Sequence, residues 1–85
     1  MMHNFNWLVT FYTNCYKLVE LKGLEVHFSK ELERNREKAM EYRKAAFSSP
    51  SLKSRWLRLV NSREKDAADA AIRLKAIRLA IKAKQ

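Results

Sequence analysis

One cysteine, one proline and one glycine occur in 85 residues. A single cysteine cannot close an internal disulfide, which excludes a stapled secreted scaffold. So little glycine and proline excludes collagen-like and linker-like chains. It also argues against a sandwich of many short strands, whose tight turns need those residues. Long apolar runs are missing as well. Trp7-Leu8-Val9 is the longest one early in the chain, and Met1 to Asn6 carry no Lys or Arg. That pattern is neither a signal-peptide core nor a membrane span, and no lipidation motif stands at either end, so a cytoplasmic location is expected. Eighty-five residues are too few for two ordinary domains, so one domain over 1–85 is expected.

What is present is positive charge on a helical pattern. Lys and Arg number 18 against 9 Asp and Glu, a net charge of +9, and apolar residues make up 47%, too many for a disordered chain. Seven of the nine excess charges follow Phe47. An excess concentrated this way is the electrostatic footprint of a nucleic acid, an acidic protein surface or an anionic membrane.

Three segments are expected, separated near Gly23–Ser29 and Ser48–Pro50. The first runs from about Asn4 to Lys22. Its polar residues Asn6, Thr10, Thr13, Lys17 and Glu20 recur every three or four positions. On a helix they make a narrow stripe and leave Phe5, Trp7, Leu8, Phe11, Tyr12, Cys15, Leu18 and Val19 on a broad apolar face. The alternative is a short N-terminal β-meander in an α+β fold. Residues 7–12 are strand formers, Lys22-Gly23 is a turn candidate, and Leu24, Val26 and Phe28 alternate with Glu25 and His27. Alternation fails over residues 7–19, which favours the helix.

The second segment, 29–47, opens with Ser29 as N-cap. Phe28, Leu32, Asn35, Ala39, Tyr42 and Ala46 follow a heptad spacing, opposite a solvated face of mixed charge. The third segment, 50–84, starts at Ser49-Pro50, a cap followed by proline at the first helical position. Trp56, Val60, Arg63, Ala67, Ala70, Leu74, Ile77 and Ile81 make its seam. An antiparallel hairpin of the two places Tyr42 by Trp56, Ala39 by Val60 and Asn35 by Arg63. The expected fold is therefore all-α: a small helical bundle built on that hairpin, with the aromatic N-terminal helix packed on it. A straight third helix is about 50 Å long. Its distal end needs cover from the aromatic helix or from a second copy in a homodimer, unless it breaks at Asn61-Ser62 and folds back.

Catalytic apparatus is not expected. Cys15 is the only thiol, with His3 and His27 as conceivable partners, and it reads as a small buried hydrophobe. Two intervals of 12 residues among them match no zinc spacing, and no glycine-rich loop cradles a phosphate. No cofactor or metal is expected. The candidate binding residues are the cations Arg55, Arg58 and Lys65 on the outer face of the long helix, Lys75, Arg78 and Lys82 nearer its end, and Arg73 on the other flank. Cations on flexible stems along a rigid rod suit phosphates, through counterion release. Trp56 sits among bases but on the seam, where Trp is core. Trp7, Phe11 and Tyr16 are the candidate anchors for a protein partner.

The expected function is non-enzymatic binding of nucleic acid, or of the acidic or nucleic-acid-binding surface of a larger complex, through the basic C-terminal helix. No helix-turn-helix or RNA-binding sheet motif supports sequence readout. The alternative is a small interaction protein that regulates or inhibits a host machine. Small phage and mobile-element inhibitors of the anti-CRISPR type share its size and charge, with no motif in common. Membrane-surface binding is disfavoured, since the apolar face of Ile72–Lys84 has no Trp or Phe.

Overall fold

A computed structural model describes residues 5–85. The expected start at Asn4, and His3, lie outside the described residues. Among those residues every regular element is helical: α1 (Phe5–Cys15), α2 (Leu18–Ser48), a 3₁₀ turn (Pro50–Leu52) and α3 (Lys53–Lys84). The all-α expectation agrees with this, and the β-meander does not, since no strand occurs among the described residues.

The helix boundaries differ from expectation in instructive ways. The first break falls at Tyr16–Lys17, not at Gly23–Ser29. Lys17 is extended (φ −78°, ψ 161°), and its N–H donates to the Glu20 carboxylate at 2.8 Å, which caps the new helix. From Leu18 the helix runs straight through Gly23 and Ser29, so Ser29 is no N-cap. Core packing explains the override. Leu21 is fully buried, and Leu18, Leu24 and Phe28 pack against the same cluster, so the segment's apolar stripe continues across the glycine. Gly23 itself has open space where a Cβ would stand. Gly23→Ala is therefore expected to stabilise the chain by about 0.5–1 kcal/mol, read as a higher urea midpoint. At the second break Ser49 makes no side-chain cap, and Pro50 opens the 3₁₀ turn instead of α3. Helix α3 is unbroken across Asn61-Ser62.

Helices α2 and α3 lie against each other with their numbering running in opposite directions. Glu25 accepts from Arg78 at 3.0 Å, Asn35 from Arg63 at 3.0 Å, and Tyr42 faces Trp56 with ring centroids 5.7 Å apart. Small residues make the closest approaches: Ala39, Ala46, Ala67 and Ala70 are buried between them, with Val60. The Asn35–Arg63 bond is the polar layer in this seam, and Asn35 is buried. Asn35→Ala leaves the half-buried guanidinium without its acceptor. A loss of about 1–3 kcal/mol is expected, measured by urea denaturation, and Arg63→Met in the same background should recover part of it.

The principal core lies toward the far end of α3. Tyr12, Leu21, Ala76, Ile77, Ala80 and Ile81 are buried together, with Phe5, Leu8 and Val9 of α1 against them. Helix α1 packs mainly on α3. Thr10 and Thr13 donate their hydroxyls to the carbonyls of Asn6 and Val9, at 2.9 and 2.7 Å, so both are satisfied within the helix. Cys15, expected on the buried face, is exposed, because α1 ends at that residue. The apolar face actually covered is narrower than expected: Trp7, Phe11 and Val19 stay exposed. The molecule is a flat rod of 52 × 27 × 14 Å. Its radius of gyration of 16.2 Å exceeds the roughly 12 Å of a compact chain of this length.

Candidate nucleic-acid interface

Between Glu41 and Glu64 the chain carries six cations and no acid: Arg43, Lys44, Lys53, Arg55, Arg58 and Arg63. This acid-free stretch is the closed end of the α2–α3 pair. It comprises the last turns of α2, the 3₁₀ turn and the first three turns of α3. Two of the six cations are engaged in structure. Arg43 is ion-paired with Glu64 across the helices, and Arg63 holds Asn35. Lys44, Lys53, Arg55 and Arg58 are exposed, and no ion pair joins them to an acid among the described residues.

The helical repeat orders these side chains. At 100° per residue, Arg58 and Lys65 lie about 20° apart around α3, and Arg55 about 60° from Arg58. The three span about 15 Å of axis at 1.5 Å per residue. They form a strip on the exposed side, with hydroxyls of Ser54 and Ser62 nearby in sequence and all five residues exposed. Lys53 and Lys44 stand at the edge of the same end. Phe47 stands there too, 83% exposed, the most exposed large apolar side chain described.

No family model, curated protein or solved structure matches this chain. Function is therefore read from charge and shape alone. The seven expected cations occupy three separate places. Arg55, Arg58 and Lys65 share the strip. Lys75, Arg78 and Lys82 line a groove between α2 and α3 further along the rod. Arg73 lies by α1, where it donates to Asp69 at 3.0 Å and stands 5.9 Å from the Phe28 ring. Tyr12 first, then Asp69, push the Arg73 pKa above its ordinary value, so this cation is held in place as well as charged. It belongs to the packing of α1 on α3. Lys75 also faces a ring, Phe5, at 5.6 Å.

The expected protein anchors lie elsewhere. Trp7 and Phe11 stack at 5.5 Å and remain exposed, while Tyr16 is half-buried edge-on to Phe11. Trp7 and Phe11, with Leu8, Tyr12 and Ile72 and the charged pair Asp69 and Arg73, line a groove beside α1, which Tyr16 does not reach. Trp56 is half-buried against Tyr42, and its indole N–H is enclosed with no partner among the described residues. Lys44, Lys53 and Phe47 were not singled out by spacing. The signal that finds them is the acid-free interval itself, which crosses two helices and the turn and so escapes any single-helix pattern. No helix among the described residues is long and apolar enough to cross a membrane, and none of their His, Cys, Asp and Glu groupings could hold a metal.

Proposed function

We propose that this chain is a non-enzymatic binder of nucleic acid, which it holds at the closed end of its helical hairpin. The observation that carries this reading is the run from Tyr42 to Arg63, six cations without an acid, folded into one end of a rigid rod. Four of those cations are exposed and unpaired among the described residues, and Lys65 extends them along α3. Phosphates are bound through displaced counterions, with no requirement for sequence. Phe47 supplies one flat apolar side chain on which an unpaired base stacks, which favours single strands over duplex.

The test is fluorescence anisotropy with labelled single-stranded and duplex oligonucleotides of mixed sequence, titrated across salt. Five phosphate contacts give a log–log salt slope near −3.5 for single strands, about −0.7 per contact. Affinity independent of salt, or absent at low salt, overturns the reading.

A further inference from the structure

We infer that the groove between α2 and α3 toward the C-terminal end of the rod binds an acidic amphipathic helix of a partner protein. The groove has a volume of about 450 Å³. Leu32, Ala71 and Leu74 form its base, Leu79 rises in it 42% exposed, and Lys75, Arg78 and Lys82 make its rim. No acid lines it. Glu25 reaches Arg78 alone, leaving Lys75 and Lys82 without an ion pair among the described residues. From Ala70 to Gln85 the chain has five cations and no acid at all.

This combination defines its occupant. Lys75 and Lys82 stand two helical turns apart, about 10 Å, with Arg78 between them. A helix laid along the groove presents carboxylates at the same interval on its flanks and apolar side chains on its central stripe. Those side chains cover Leu79, which a phosphate backbone does not, since phosphates satisfy the rim and leave the leucine wet. A second copy of this chain is a poor occupant because it brings a further net charge of +9. The groove shares no residue with the basic strip at the closed end, so this inference stands independently of nucleic-acid binding there.

The experiment selects binders of the full-length chain from a displayed library of random helical peptides of about five turns. Selected peptides are then measured by anisotropy. The partners are the wild type, Lys75→Glu/Lys82→Glu, Leu79→Glu and, as a control, Arg55→Ala/Arg58→Ala. All these positions are exposed, and circular dichroism checks that each variant is folded. The expected winners are acid-rich, with apolar residues at i, i+3 or i+4, and i+7. Their affinity falls about tenfold or more in both groove variants and is unchanged in the control. Neutral or basic winners overturn the inference, as does the absence of winners. Acidic winners that bind Lys75→Glu/Lys82→Glu as tightly as the wild type overturn it too. Displacement of the peptide by mixed-sequence oligonucleotide or by phosphatidylserine vesicles would assign the groove to a polyanion or a membrane instead. In each of these cases salt-dependent oligonucleotide binding at the closed end persists, so the two readings fail separately.

Discussion

Replacing Arg55, Arg58 and Lys65 together by alanine is expected to weaken oligonucleotide binding by about two to three orders of magnitude at 0.1 M salt. Each exposed cation that neutralises a phosphate releases close to one counterion. At that salt concentration each release is worth somewhat less than tenfold in affinity. The log–log salt slope should become shallower by about 2 for single strands and about 2.7 for duplex. Loss should be uniform across sequences, because these side chains meet phosphates and not base edges. The fold should be untouched, since all three side chains are exposed and none is ion-paired among the described residues. Phe47→Ala completes the series. It should reduce single-strand affinity by about fivefold to a hundredfold and leave duplex affinity nearly unchanged, the signature of stacking. Lys75→Ala/Lys82→Ala is the control, removing two cations from the far groove. If that control costs as much per removed cation as the strip variant, binding follows net charge and not the closed end, and the assignment of the site is wrong.

Helical character was legible in the sequence because heptad spacing from Phe28 to Ala46 and from Trp56 to Ile81 has only one geometric explanation. The boundary at the first break was not. Gly23 and Ser29 are local stop and start signals of about 1 kcal/mol each, and they were outweighed by burial of Leu21, Leu24 and Phe28 on one continuous stripe. The true break, at Tyr16–Lys17, has no glycine or proline to mark it. Its only local trace is Glu20, three residues after Lys17, at the place a capping carboxylate takes. The core face of α1 was over-read for a related reason. Eight apolar residues suggested one broad covered face, but α3 is nearly its whole neighbour, so Trp7 and Phe11 are left outside. Sequence spacing already set Arg55, Arg58 and Lys65 on the outer face of the long helix apart from Lys75, Arg78 and Lys82 nearer its end. That the second group borders a groove follows from the position of Leu32 of α2, which a list of charges cannot show.

The two surfaces use the rod differently. At the closed end small residues hold the helices together. Ala39, Ala46 and Val60 bury little area each, and the exposed shell is cationic with hydroxyls. The large contact across that end is the ring pair Tyr42–Trp56. At the other end stability rests on Ile77, Ile81, Leu21 and Tyr12, and the helix they retain, α1, carries the exposed Trp7 and Phe11. Damage to the large core should therefore be felt first at α1 and only later at the basic strip.

Ile77→Ala tests this division. Ile77 is fully buried in the cluster that joins α1 and the start of α2 to α3. Removing three carbons there costs transfer free energy plus a cavity, about 2–5 kcal/mol in total. A chain of this length has about 4–13 kcal/mol to lose, so the substitution consumes a large share of its stability. Helix α1 should be the first element released. It has 11 residues, no acid in its first turn and no base in its last, and helices that short do not persist alone in water. Two readouts are expected: a lower urea midpoint, and hydrogen exchange that quickens in residues 5–15 more than in residues 42–63. Oligonucleotide binding at temperatures where α2 and α3 remain paired should be nearly preserved. Ile72→Ala, at a half-exposed position on the same helix, should cost well under 1 kcal/mol and serves as the control. Uniform loss of protection across all three helices would show instead that the rod folds as one cooperative unit, with no end able to loosen by itself.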